Sequence, residues 1–324
     1  MTTRRKFLQL SGAVLATPAV TRLAYAQSNW PNHNVRTVIP FSAGSSSDIL
    51  GRIVMEQVSR QLNQNFVIEN RGGAGGSVGA GQVARSDADG YTLLVTAAAH
   101  SAAPAAFPHI TYDPAGDFAG VALFGTVPNV LVVAPSLGVK TVQEFVAKAK
   151  TRDMTYSSAG VGSATHWAAE RFRLSAGFKG THIPFKGGPE ATTEVMTGRV
   201  DFCCMGISSA LPFITDKKVL ALAVSTPKRS SILPDVPTTL EAGYKDSDYS
   251  FWNGALFPAK TPREIVDKLA AEINTAVKHP NVAPKLQAQG MELTPVTPAE
   301  FDALIKREIV ANKELVKAAG LKFG

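Results

Sequence analysis

Short apolar runs alternate with amphipathic stretches along most of the chain. The runs at 35–39, 66–69, 92–96, 121–124, 129–133, 155–157, 180–184, 200–207 and 221–224 read as strands. Between and after them, apolar residues recur at helical spacing over 47–62, 76–85, 141–150, 166–175, 189–197, 262–278, 280–289 and 298–318. Two helix starts carry their own signals. Thr261-Pro262-Arg263-Glu264 and Thr297-Pro298-Ala299-Glu300 each set Thr, Pro and Glu where the N-cap, N1 and N3 positions favour them. Strands alternating with helices predict an α/β fold in which helices cover mostly parallel sheets. The last two long helices, polar on one face, close the C-terminus.

Within this pattern the junction Pro40-Phe41-Ser42-Ala43-Gly44-Ser45-Ser46-Ser47-Asp48 reads as a strand-to-helix turn. Its small residues let a ligand approach the backbone, and Ser47 or Asp48 can cap the helix. The first-turn N–H groups and the helix dipole favour a carboxylate or phosphate there. The same residues also describe a well-capped helix start and nothing more. Three later loops share this chemistry. Asn70-Arg71-Gly72-Gly73-Ala74-Gly75-Gly76-Ser77-Val78-Gly79 follows a strand and opens a helix, but G-x-G-x-x-G would need glycine at Val78 or at Ala84, and there is no Walker lysine. It is a loop rich in backbone N–H, or a set of tight turns. Ser157 to His166 and Pro184 to Glu190 again join strands to helices, and neither contains G-x-S-x-G. Ser163 and His166 stand three apart at a helix start without an orienting acid, so capping or binding is favoured over a catalytic pair.

The first 26 residues change both the charge and the expected compartment. Arg4-Arg5-Lys6-Phe7-Leu8, an apolar run from Leu10 to Val20 and Ala24-Tyr25-Ala26 read as a twin-arginine export signal cleaved after Ala26. A Sec-type leader with a chance arginine pair leads to the same place, the periplasm. Four of the basic residues, Arg4, Arg5, Lys6 and Arg22, lie in this leader, so the net charge of +7 drops to +3 in the remaining 298 residues. With Lys and Arg scattered among acids, a nucleic-acid partner is not indicated. The length suggests about two domains. Cys203-Cys204 are adjacent and point to opposite faces of a strand, so they read as reduced core positions. With no HExxH or similar pattern among the six histidines, no metal and no cofactor is implied.

Several of these segments together resemble a known family. Pro40-Phe41-x-Ala43-Gly44 with Asp48, then Asn70-Arg71-x-Gly73-Ala74-Gly75-Gly76, then Tyr112-Asp113-Pro114-x-x-Asp117-Phe118 are similar to the Bug family, the periplasmic solute-binding receptors of tripartite tricarboxylate transporters. Val127-Pro128-Asn129, Pro184-Phe185-Lys186-Gly187, Gly198-Arg199-Val200-Asp201, Ser209-Ala210-Leu211-Pro212, Leu233-Pro234-Asp235-Val236-Pro237 and Glu241-Ala242-Gly243 follow in the same order.

The resemblance implies a two-lobed, type II-like periplasmic binding protein. Each lobe is a helix-covered, mostly parallel sheet, and the ligand lies in the cleft between them. Residues 27–127 with 254–324 would form lobe 1 and residues 128–253 lobe 2. A small organic carboxylate would be held mainly by backbone groups and water. Lobe 1 would offer Phe41, Ser42, Ala43, Gly44, Ser46, Asp48, Ala74, Gly75 and Ala98. Lobe 2 would offer Ser158, Gly160, Gly162, Ser163, Thr165, His166, Lys186, Gly187 and Met205. The protein would act as a monomer that delivers ligand to membrane components of a transporter, without catalysis. Two departures bear on the ligand. Where many relatives carry an acid followed by Asn, this chain has Met205-Gly206-Ile207, which disfavours an ammonium group; a gap-filling Met is the plain alternative. The other is the serine run at 45–47. A bulky residue at Gly44 is expected to abolish binding while sparing the unliganded fold. A periplasmic hydrolase using Ser163 and His166 and a sensor for a membrane signalling partner are the competing readings.

Overall fold

The computed structural model describes residues 30–107 and 109–319, so the leader expected at 1–26 lies outside the described residues. The elements in order are β1 (Val35–Ile39), α1 (Ser46–Leu62), β2 (Phe66–Asn70), α2 (Ser77–Ala84), β3 (Thr92–Ala97), α3 (Ala99–Ala106) and β4 (Phe118–Val133). Then come α4 (Val142–Ala149), β5 (Met154–Ser158), α5 (Ala164–Ala176), β6 (Gly180–Pro184), α6 (Gly188–Met196), β7 (Phe202–Gly206), α7 (Ile207–Thr215) and β8 (Leu220–Val224). The chain finishes with β9 (Ser250–Pro258), α8 (Arg263–Lys278), α9 (Ala283–Ala288) and α10 (Pro298–Ala319).

The strands form one path, β2-β1-β3-β9-β4-β7-β5-β6, with β8 also on β4. At its two ends the pairing is parallel: β1 with β2 and β3, and β5 with β6 and β7. These are the helix-connected units that the alternation predicts. The centre differs. There β4 and β9 are antiparallel to each other, β9 to β3, and β4 to β7 and β8. The reason is topological: β4 carries the chain out of the first half and β9 brings it back, so the two run in opposite directions.

The buried side chains fall into separate cores. One gathers Val38, Leu50, Val54, Leu94, Phe124, Leu256, Leu269 and Ile273 around the first half. The other half has a core on each face of its sheet, and strand alternation assigns residues to them. Leu131, Val133, Phe202 and Cys204 turn to one side, Val130, Val132, Cys203 and Met205 to the other. The two cysteines are therefore back to back, buried and unbonded to each other, and burial pushes the Cys203 thiol up to about 12.

Three departures from the sequence pattern have local causes. The two runs at 121–124 and 129–133 are one strand, because Gly125, at φ +158°, sits at a register shift that lets β4 bend instead of ending. Strand β9 escaped prediction because Asn253-Gly254 at its centre looks like a turn. Gly254 is needed there because a Cβ would lie 2.7 Å from both the Ala122 carbonyl and the Phe301 ring. Helices α3 and α7 contain Pro104 and Pro212, which the pattern reads as breaks. The two predicted caps also diverge. At Thr297 the reciprocal box forms, with Glu300 N donating to Thr297 Oγ1 at 3.3 Å and Thr297 N to Glu300 Oε2 at 2.8 Å. At Thr261 it does not: Pro262 takes the cap position and the buried Thr261 hydroxyl is left without a partner.

Candidate functional site

Two strand-to-helix turns, one from each half, face each other and are built alike. Ser45 caps α1 with φ −67° and ψ 158°, and Ser163 caps α5 with φ −68° and ψ 159°. Each hydroxyl accepts the N–H three residues on, Asp48 N and His166 N, both at 3.3 Å. Each serine follows a glycine in the left-handed region, Gly44 at φ +77° and Gly162 at φ +71°. In both turns that glycine's N–H is received by a side chain four residues later, by Asp48 Oδ2 at 2.9 Å and by His166 Nδ1 at 3.1 Å. Asp48 and His166 therefore do the same job in different chemistries: each locks a turn so that its helix N-terminus points at the space between the halves.

That space is lined by Phe41, Met205, Phe251, Ala97 and Ala159 and by the hydroxyls of Ser45, Ser46, Ser47, Ser163, Thr165 and Ser209. Among the described residues no charged side chain lines it. Ser45 uses a lone pair to accept a backbone N–H and keeps its hydroxyl proton to donate elsewhere. Ser163 also shares a hydrogen bond with the Thr165 hydroxyl at 2.9 Å, so the Ser163–Thr165 pair has two hydroxyl protons, one of which is used between them. Phe251 comes from β9 and Ser209 from α7, two elements the pattern missed, so neither was legible as a site residue; Ser45 and Ser47 stood in the quoted serine run.

Among the residues the sequence singled out, Phe41, Ser46, Ser163, Thr165 and Met205 line the space directly. Ser42, Gly44, Gly75, Gly160, Gly162 and Gly187 form the contact between the halves beside it. Ser42 Oγ donates to Glu190 Oε1 at 2.8 Å, and Ser209 N donates to Ser46 Oγ at 3.3 Å. A Cβ on Gly75 would stand 2.1 Å from the Val161 carbonyl, and one on Gly187 2.5 Å from Ser42 Cβ. Asp48, Ser158 and His166 lie one layer back as braces. Ala98 N donates to Trp252 O at 3.1 Å, which ties the start of α3 to β9. Ala43 and Lys186 are exposed, and Ala74 opens onto a different cavity.

The electrostatics of the braces follow from burial. Desolvation alone would raise the Asp48 carboxyl, but hydrogen bonds from Arg52, Gly44 N and Asn70 outweigh it and hold the group below the usual carboxylate range. His166 is pushed down to about 2, first by burial and then by His182 and Arg173. Its ring stacks on His182 with centroids 3.7 Å apart. Because Nδ1 accepts from Gly162 N, the ring is neutral with its proton on Nε2. Ser163 Oγ meets the backbone N of His166 and the hydroxyl of Thr165 at 2.9 Å. This is a cap. The nucleophile–base bond that a hydrolase needs would run from Ser163 Oγ to a ring nitrogen of His166, and Nδ1 is turned to Gly162.

Sequence and structure comparisons place the chain among known proteins. The profile described as tripartite tricarboxylate transporter family receptor matches residues 50–321. A protein of Agrobacterium vitis, described as a UPF0065 protein in the TAR-I ttuE-ttuC' intergenic region, is 35% identical over 316 residues, covering 95% of this chain and 91% of that one. The periplasmic binding protein BugD superposes with a TM-score of 0.86 at 31% identity, covering 90% of this chain and 99% of that one. An R. palustris structure with adipate gives 0.87 at 31% identity, over 90% and 99%. MatC from Rhodopseudomonas palustris with bound malate gives 0.82 at 30%, over 89% and 100%.

Proposed function

The chain belongs to the tripartite tricarboxylate transporter receptor family, and from that premise we propose that it captures a small organic carboxylate between its two halves and presents it to membrane components of such a transporter. The observation that carries this reading is the pair of matching turns. Two helix N-termini, one capped by Ser45 and the other by Ser163 with its partner Thr165, converge on one space that no charged side chain lines among the described residues. A carboxylate is stabilised there by dipoles and hydroxyl donors without a buried cation. The apolar part of the ligand would meet Phe41, Met205 and Phe251. With no acid among the described residues lining the space, an ammonium group finds no counter-charge there.

Binding is coupled to motion. A ligand that touches both turns binds the closed arrangement better than the open one and shifts the equilibrium towards it by that difference in affinity. The proposed lobes are 27–127 with 254–324, and 128–253; the first-half core also draws Ala164, Phe251 and Trp252 from across that division. The proposed export signal, twin-arginine with cleavage after Ala26, would place a monomer in the periplasm. No step of chemistry on the ligand is proposed, since Ser163 serves as a cap.

A thermal-shift screen against adipate, malate, tricarboxylates, aromatic acids and amino acids tests the reading. At a hundred times the dissociation constant, a true ligand adds about 2.7 kcal/mol to stability. At least one dicarboxylate or other acid without an amino group is expected to raise the melting temperature, and amino acids to leave it unchanged. A response confined to amino acids would refute the ligand class.

A further inference from the structure

A cavity of about 540 Å3 lies apart from the space between the halves, between the turn at Ala74, helix α2 and residues 106, 107 and 109–112. Its volume is that of a small-molecule site. Val78, Ala106, Phe107 and Ile110 give it apolar walls, and among the described residues no acidic side chain lines it. Val78 is 54% exposed, one of few large apolar side chains among the described residues left open to water. Among the described residues Arg85 is the guanidinium on its wall, with the His109 ring also lining it. Arg85 forms no ion pair among the described residues, and its hydrogen bond there goes to Thr111 Oγ1 at 3.3 Å. A Cβ on Gly81 would sit 3.3 Å from Arg85 Nη1 and 3.4 Å from Tyr112 Cδ1, so the guanidinium is folded back along α2 over the cavity.

We propose that this cavity is a second binding site, separate from the cleft, for a monocarboxylate with an aryl or alkyl body. The carboxylate pairs with Arg85, whose planar fork can hold both oxygens. The body covers Val78 and packs against Phe107 and Ile110. The site also touches the cleft. A Cβ on Gly162, in the turn that caps α5, would stand 2.6 Å from Ala106 Cβ and 3.0 Å from the Phe107 ring, so these walls are the surface on which the second half rests. The inference does not depend on what the cleft binds.

Benzoate is the probe, titrated calorimetrically into the wild-type protein and three variants. For a ligand of this size the dissociation constant is expected near or below about 1 mM. Arg85→Ala removes the charge, and Gly81→Leu fills the cavity from a helical position where the replacement also favours the helix. Each should weaken benzoate at least tenfold without lowering the melting temperature. Gly75→Val, which obstructs the cleft, should leave benzoate binding within about threefold of wild type. Absence of saturable binding up to 10 mM, binding unchanged in both α2 variants, or loss in Gly75→Val with retention in Gly81→Leu would each overturn the site.

Discussion

Gly75→Val is expected to reduce affinity for the cleft ligand at least a hundredfold, about 2.8 kcal/mol, while the unliganded protein stays folded. Gly75 lies at φ +60°, and its missing Cβ is where the Val161 carbonyl of the other half arrives, 2.1 Å away, with Ser163 N 3.1 Å away. Backbone cannot yield as a flexible side chain can, so any Cβ holds the halves apart just where the two turns must meet. The open form feels only the left-handed backbone, about 1–2 kcal/mol, which in a chain of this size lowers the melting temperature by roughly 5 °C or less. Gly44, the position that sequence alone singles out for this test, is the weaker choice. It shares the left-handed backbone at φ +77°, but a Cβ there meets only Pro189 Cγ at an ordinary 3.4 Å. Isothermal titration with an acid from the panel that binds wild type should therefore rank Gly75→Val below Gly44→Val. Wild-type affinity in Gly75→Val would mean that the halves do not close on the ligand as described.

The second large effect is acid lability well above the range where carboxylates titrate. His100 and His166 are both buried, and desolvation holds them down to about 4 and about 2. His100 Nε2 donates to the Pro114 carbonyl at 3.0 Å, and its Nδ1 has no partner, so this ring too is locked neutral. In the unfolded chain both return to about 6.5. The unfolded state therefore binds protons first. The contribution to stability is whole above about pH 6.5 and shrinks as pH falls through the window between 6.5 and the folded values. By linkage each of these two rings removes about 1.6 kcal/mol between pH 6.5 and pH 5, roughly 3 kcal/mol together, and His182, also pushed down to about 4 by burial, adds to the fall. The melting temperature of the unliganded protein should fall by about 10 °C over that interval. Asp48, held low, begins to contribute only as pH drops further, through the ordinary carboxylate range and below. Glu308, raised by burial against hydrogen bonds from Ser101 and Trp252, has the opposite sign and softens the fall. His166→Gln retains an acceptor for Gly162 N and removes that ring's proton, so the slope should drop by about one proton. A flat profile from pH 7 to 5 would show that these rings are hydrated in solution.

Much of the architecture follows from short-range signals. Apolar runs bounded by glycine and helix starts marked by serine or threonine are properties of the local chain, and β1, α1, β5, α5 and α6 lie within a few residues of where the pattern puts them. The opening turn was legible for the same reason: small residues, a run of serines and Asp48 describe a capped helix N-terminus wherever it sits in space. The family likeness added the expectation of a cleft between two lobes, because several weak motifs occur in a fixed order.

What the sequence could not settle is what meets across space. It presents Asp48 and His166 as candidate ligands. Only the folded turns reveal that each side chain reaches back four residues to the N–H of a left-handed glycine, a likeness between carboxylate and imidazole that no residue pattern encodes. Phe251 and Ser209 reach the cleft from a strand with Asn-Gly at its centre and from a helix interrupted by Pro212. Their local preferences are overridden by packing against β4, α10 and the opposing turn. Local chemistry, carried by neighbouring residues, determined that this chain would make capped turns able to hold an anion. Tertiary structure decided that two of them would face one another, because a helix dipole and a hydroxyl proton gain direction only when the sheet that carries them is folded.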